Sequence, residues 1–447
     1  MYSQLLSKSK TYISNKDNLT LWMNNLLVVY TFFLPISQSF KATVFVYILL
    51  IFFIRGDVVS HIKNSLQNKV VKAFLYFFLI YVVGLLWTDD ISNGLSNIKS
   101  IKYGLYLIIF YCIVDGRYIN KVISAFIIGM LISEVTSYGM LLEIMPWSLD
   151  VMGIHFYAAQ TIGDPSPFLN HIHYGVALAF VVLLLAQKIV YSNNTILIKV
   201  LMSIFVITAT MNIFLTGGRT GYVTFALLII IIAMSYLKKY SILLLVGICI
   251  IFTLAYNSSP LFKDKVDQSE KNIVKLFEKE PDFTTSIGQR AGLVYYGYQV
   301  AIDNLLLGAG TGDSMNEIKK LAPLKYTAIQ NHEHEHNQFL HVFISLGIVG
   351  LLIFLNIYYQ IFTFKQKDKE LQFIMIFATL AVTFGVLTTQ FNLRFFMPLW
   401  IVMLAITLID KERFTINNLQ TKDTTINLQI IAAIAIFSIN GLLQQLL

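Results

Sequence analysis

Charge is what this chain most lacks: 13% of its 447 residues are Asp, Glu, Lys or Arg, about half the share in an ordinary soluble domain. With 56% hydrophobic residues and a mean hydropathy of +0.67, that scarcity excludes a soluble globular fold. Cysteine is nearly absent. Cys112 and Cys249 both fall inside apolar runs, which leaves no disulfide framework and no cysteine metal site. No cleavable leader is evident: the start, MYSQLLSKSKTYISNKDN, is polar, and no small-residue cleavage site follows the first apolar run. The net charge of +8 fits loop anchors beside anionic lipid, so membrane lipids are expected partners and nucleic acid is not.

What the chain has in quantity is apolar length. Runs of roughly 17–25 residues recur throughout, each enough to cross ~30 Å of hydrocarbon. A barrel would show short alternating segments instead. The expectation is an all-α polytopic membrane protein. Helices are placed at 21–38, 41–55, 71–88, 99–114, 119–143, 171–191, 195–215, 220–237, 240–257, 337–362, 371–391, 393–409 and 426–446, or about 12–13 spans. With a cytoplasmic N-terminus, one set of loops collects Arg55, Lys63, Lys69, Lys72, Arg117, Lys121, Lys188, Lys199, Lys238, Lys239, Lys365, Lys367, Lys369, Lys411, Arg413 and Lys422. The opposite loops carry little beyond Lys41, Lys99, Lys102, Arg219 and Arg394, as the positive-inside rule requires.

The single long loop, 258–336, then falls on the outer side. Connections of that length in a compact protein are functional or disordered, and this one is not of low complexity. DKVDQSEKNIVKLFEK (264–279) has helical spacing suited to the interface. SIGQRAGLVYYGYQVAID (286–303) reads as a second helix with Ser286 as N-cap. GAGTGD (308–313) makes a turn into a short helix at 313–321. The loop is therefore expected to be a folded cap, dividing the chain into 1–257, 258–336 and 337–447. A second outer segment, 144–171, has the prolines and aromatics of a re-entrant or interfacial loop.

The conspicuous polar residues all fall on that outer side. Arg219 lies in LTGGRTGYV (215–223), where glycines are expected to let backbone and ligand approach closely. Arg290 is on the loop helix, and Asn170, His171 and His173 head the sixth span. His332, His334 and His336 lie in NHEHEHNQFLH (331–341), which formally satisfies H-E-x-x-H. A helical zinc site needs a third ligand and an open position. Yet no carboxylate follows His336 before Asp368 and Glu370, and His341, at i+5, faces away. The stretch reads otherwise as a polar interface, or as a base beside cations. In the latter, a histidine acts as general base while Arg219 and Arg290 grip a diphosphate. His341 reads as a satisfied core or interface histidine. GAGTG follows no strand, so it is no dinucleotide fingerprint.

TGGRTGY (216–222), the Arg290 helix running into NLLLGAGTG (304–312), and HNQFLHVFISLGIVG (336–350) occur in this order around one large outer loop. In this the chain resembles the O-antigen ligase family, grouped with the O-antigen polymerases; PFLNHIHYG (167–175) is similar to a looser motif of that group. The resemblance covers 167–350. It implies a GT-C-like membrane glycosyltransferase at the periplasmic face of the bacterial inner membrane. Such an enzyme moves a glycan from undecaprenyl diphosphate to lipid A–core without a metal or other cofactor. Carried over by motif, His336 activates the acceptor hydroxyl, and Arg219 and Arg290 bind the diphosphate. Asn337, of the H-N pair, and His173 complete the substrate-binding set. The HEHEH repeat departs from the family, so His332 and His334 compete with His336, which alone is followed by N-x-x-L. The sister chemistry is an O-antigen or capsule polymerase with a lipid-linked repeat unit as acceptor; its members often carry two comparable outer loops, and here one dominates. A transporter would show internal repeats and mid-membrane charges, and neither is seen. A zinc intramembrane protease would lose activity on chelation.

Overall fold

The computed structural model describes residues 16–151, 154–159, 164–237, 241–278, 281–391 and 395–413; the span expected at 426–446 lies outside them. The chain opens with α1 (Lys16–Phe33), α2 (Gln38–Ile54), α3 (Val58–Ser65), α4 (Lys69–Val83), α5 (Ile91–Ile101), α6 (Tyr106–Ile113) and α7 (Ile119–Leu141). A hairpin of β1 (Ser148–Val151) and β2 (Ile154–Ala158) follows, antiparallel, within the segment expected to be interfacial. Then come α8 (His171–Tyr191), α9 (Ile196–Leu215), α10 (Arg219–Ile232) and α11 (Ser241–Ser258). The long loop holds α12 (Pro260–Leu276), α13 (Ser286–Asp303), α14 (Ser314–Leu321) and α15 (Thr327–Asn331). The chain returns through α16 (Gln338–Thr363), α17 (Lys369–Val386) and α18 (Phe396–Thr407).

This is an all-α polytopic membrane protein. Among the described residues, seven helical runs are long and apolar enough to cross a bilayer, and α2 with α3, bent by 112°, would make an eighth. The 12–13 spans expected from hydropathy thus include helices too short or too polar to qualify, among them α10 and α18. The run placed at 99–114 is broken: α5 ends at Ile101, and a 3-10 turn, Lys102–Leu105, separates it from α6. Asp90 starts α5 early, its carboxylate accepting from the amide of Asn93 at 2.9 Å.

Two helices apolar on every face occupy the centre. α8 buries every residue from His173 to Leu185, and α18 buries all of Phe396–Thr407. Around them, α8 packs on α9, α10 and α17, and α17 packs on α18. The long loop has a smaller apolar core of its own, built from Phe283, Leu293, Tyr296, Val300, Ile318 and Ile329, and it closes on Ile344 of α16. The loop is folded around this core and is bolted to α16.

The bolt is a break in α16. Hydropathy reads 337–362 as one apolar helix, but Gly347 sits at φ 63, ψ −163, outside any helical region. Breaking a helix frees carbonyls that hydrocarbon cannot satisfy. Here the loop before α14 supplies the partners. The amides of Ala309 and Gly310 donate to the carbonyls of Ile344 and Ser345 at 2.8 and 3.0 Å, and the amide of Ile348 donates to the Leu305 carbonyl at 2.8 Å. Gly308, at φ 75, crosses so close that a Cβ on it would lie 2.3 Å from the amide nitrogen of Leu346. Beyond the crossing, the Thr311 hydroxyl donates to the Tyr81 carbonyl of α4 at 2.7 Å, and the Asp313 carboxylate accepts from the amides of Asp89 and Asp90 at 2.9 and 2.8 Å. The GAGTG run is a structural clasp.

Gly347→Ala is expected to destabilise the protein by about 2 kcal/mol or more, because its Cβ would stand 2.4 Å from the Leu306 carbonyl oxygen. A thermal melt of the detergent-solubilised variant that matched wild type would show that the clasp is not what fixes the cap.

Candidate active site

Arg219 is the first residue of α10, which no side chain caps. A cation at a helix N-terminus opposes the macrodipole, and an anion bound there would relieve both. Its flanking glycines were expected to let backbone and ligand approach closely, and the backbone that approaches is that of helix α8. A Cβ on Gly221 would lie 2.8 Å from Gly175 Cα, and one on Gly218 would lie 2.4 Å from the His171 carbonyl oxygen. The turn is fixed further by Asp164, which accepts from the Gly217 amide at 3.2 Å and pairs with His171 Nδ1 at 3.0 Å. Arg219 Nη2 donates to Gln268 Oε1 of α12 at 3.3 Å, while its Nε is buried without a partner.

Arg290, on α13, makes long contacts to its own helix at Ser286, and its Nε is likewise buried and unpartnered. Its pKa is lowered by burial first and then by the charge of Arg219, which places the two guanidinium groups within each other's field. Both line one cavity of about 670 Å³ between α10, α11, α12, α13 and α17. The walls are largely apolar, with Tyr222, Phe252, Phe262, Ile273 and Phe384; Lys265 and Glu270 add further charge. Like cations held together in an apolar cavity repel one another, and a doubly charged anion would cancel that repulsion.

The histidine stretch is not a helix. Residues 332–337 run between α15 and α16 in irregular backbone, and His336 takes φ 54, a strained value for a residue with a side chain. The helical zinc reading therefore fails at its first requirement. The HEHEH stretch instead runs through bends, with His336 in the left-handed region. His332, His334 and His336 gather on one side, with ring centroids 4.9 Å (His332–His336) and 4.6 Å (His334–His336) apart. Glu335 turns the other way and is buried. It pairs with His341 Nδ1 at 3.0 Å and accepts from the side-chain amide of Gln390. Burial alone would raise the Glu335 carboxyl, but His341 outweighs it and holds the group well below the usual range. His341 is thus a satisfied core histidine, and its partner fixes the loop. Among the described residues no three His, Cys, Asp or Glu side chains are arranged to hold a metal ion.

His336 is half-buried, with Nε2 3.3 Å from His332 Nδ1 and with Nδ1 buried and unpartnered. Burial, then the fields of His334 and Arg290, push its pKa down to about 3. His336 thus lies within the field of Arg290, and Arg290 within that of Arg219, though His336 itself does not line the cavity. Two other expected residues stand differently. Asn337 caps α16, its side-chain oxygen accepting from the amides of Phe339 and Leu340 at 2.9 and 3.1 Å. His173 is buried edge-on to Phe396, ring centroids 4.5 Å apart, and is not among the cavity's lining residues. Sequence reasoning missed Gln268, Gln289 and Gln390, for neutral amides in unremarkable surroundings carry no signal of their own.

Residues 203–355 match the family model described as O-antigen ligase. That segment is an O-antigen ligase family domain. It runs from α9 to the middle of α16 and takes in Arg219, Arg290, the three histidines and the Gly347 clasp. The family is one of membrane glycosyltransferases, in keeping with the multi-pass architecture. No curated protein matches the chain.

Because its folded pKa lies far below the ordinary value near 6.5, His336 stays neutral as the medium is acidified. Acylation by diethyl pyrocarbonate, which takes only neutral imidazole, should therefore keep a constant rate at His336 from about pH 8 down to about pH 5. Arg290→Gln removes one depressing charge and should move the loss of reactivity to higher pH. A wild-type rate that falls away near 6.5 would refute the depressed value.

Proposed function

We propose that this protein is an O-antigen ligase, transferring a glycan from undecaprenyl diphosphate to a sugar hydroxyl of lipid A–core at the periplasmic face of the bacterial inner membrane. The observation that carries the proposal is a neutral, unpartnered imidazole nitrogen on His336 in the field of Arg290, which lines an apolar cavity together with Arg219, each arginine keeping a buried, unpartnered Nε. An apolar cavity suits a polyisoprenyl tail, and paired guanidinium groups suit a diphosphate.

In this reading His336 Nδ1 takes the proton of the acceptor hydroxyl as the oxygen forms its bond to the anomeric carbon. The bond from that carbon to the diphosphate oxygen breaks, and the lipid diphosphate leaves with the electron pair. Arg219 and Arg290 stabilise the charge it gains. A diphosphate is already a good leaving group, so positioning and electrostatics supply most of what catalysis needs. The positive charge comes from guanidinium groups, and no step needs a metal ion. Arg290 also tunes the base. Burial, then the fields of His334 and Arg290, hold His336 weakly basic, and a diphosphate gripped by the arginines offsets the Arg290 part of that field and raises basicity. Asn337 contributes by capping the helix that follows His336, and His173 by packing the head of α8.

The test is transfer by purified, detergent-solubilised protein from lipid-linked polysaccharide to lipid A–core in excess EDTA. Wild type should build a ladder on lipid A–core. His336→Ala and Arg219→Ala should lose about 10²- to 10⁴-fold in rate while still accumulating in the membrane. Arg290→Ala should lose nearly as much, and Arg290→Lys should recover charge without the two-pronged geometry. Chains that lengthen on their own carrier lipid would make the protein a polymerase, and product restored only by zinc would overturn the metal-free mechanism.

A further inference from the structure

Only a neutral imidazole with its lone pair on the correct nitrogen can serve as a base, and the choice between its two tautomers is set by whatever the other nitrogen touches. Around His336 that choice can be traced back through three hydrogen bonds. The Gln289 side-chain amide nitrogen donates to the Thr284 carbonyl at 2.8 Å. This orients the amide, so its oxygen, Oε1, is the atom that faces His332 Nε2 at 3.1 Å. An amide oxygen only accepts. His332 must then carry its proton on Nε2, which leaves Nδ1 as an acceptor. His336 Nε2 lies 3.3 Å from that acceptor, so it holds the proton of His336. The lone pair of His336 falls on Nδ1, the nitrogen left buried and without a partner.

We propose that Gln289 and His332 are positioning residues that fix the tautomer of His336, with the backbone carbonyl of Thr284 as the fixed end of the chain. The proposal rests on the reading of His336 as general base and extends it to residues that touch no reacting atom. It also accounts for the first histidine of HEHEH, which the base itself leaves unexplained. The relay ends in an amide rather than a carboxylate. It orients His336 without raising its basicity, so burial and the neighbouring charges keep the His336 pKa low, and the donor's charge is what raises it. Burial and the neighbouring charges likewise hold His332 below its ordinary value, in keeping with a neutral relay.

Nitrogen-15 spectra of histidine-labelled protein in bilayers, with His336 assigned by difference against His336→Gln, separate the two tautomers directly. In wild type His336 should show its proton on Nε2 and a bare Nδ1. Gln289→Met removes the acceptor, and both tautomers of His336 should then appear. In the same variant kcat should fall about 10- to 100-fold while KM for the lipid-linked donor stays within about threefold, since the arginines are untouched. His332→Leu should behave alike. His332→Gln returns an amide oxygen to His336 Nε2, and should restore the tautomer and part of the lost kcat. A wild-type proton on Nδ1, or a Gln289→Met variant with unchanged spectrum and kcat, would overturn the relay. Wild-type protein that shows the expected tautomer but transfers no glycan would leave the relay standing and refute the proposed function instead. Should Gln289→Met fail to accumulate, the contrast between His332→Leu and His332→Gln decides the same question.

Discussion

The pairing of the 305–310 backbone with the broken turn of α16 is the constraint on which the rest of the site depends. It holds the end of α13, and so Arg290, against the helix that begins two residues after His336. Loop geometry alone could not keep a base and a cation in register across a 79-residue excursion such as 258–336. A ladder of main-chain bonds inside an apolar helix can, for neither partner has water to turn to. Asp313 and Thr311 extend the same anchorage to α4 and α5. The cap is thereby referenced to the membrane helices and not merely laid over them.

On that frame the electrostatics follow a single logic. Arg219 and Arg290 are brought together where their charges are unfavourable, and His336 is kept neutral partly by one of them. Glu335, the nearest carboxylate in sequence, is turned away and paired with His341. Had Glu335 faced the arginines, it would have satisfied them and closed the site to an anion. Alternation in the backbone at HEHEH is what separates the two chemistries: imidazoles to one side, the carboxylate to the other.

Much of this was legible in the sequence, and the limits are physical ones. Apolar length gave the helices, and α13 spans Ser286–Asp303 as its pattern placed it. Its N-cap, however, is Thr285, whose hydroxyl accepts from the Gly288 amide, and not Ser286 as expected. TGGRTGY and HNQFL drew attention to Arg219 and His336 through their resemblance to motifs of the O-antigen ligase family. The break at Gly347 was invisible, since ISLGIVG is apolar on either side of it and hydropathy does not register φ. The role of the glycines beside Arg219 depended on Gly175, more than forty residues distant. H-E-x-x-H, already disfavoured for want of a third ligand, assumes a helical period for residues that adopt irregular backbone. Gln289 could not be seen at all: its meaning lies in which way an amide is turned.

The cavity beside the arginines, at about 670 Å³, is of the size that encloses a small molecule or part of a lipid. A polymeric glycan cannot fit within it. For an enzyme that grips its donor by carrier and diphosphate alone, every chain looks the same at the point of transfer, whether it bears a few sugars or a great many. Such a protein has no ruler. The distribution of chain lengths at the cell surface would then be fixed before the donor reaches it, and passed on unedited.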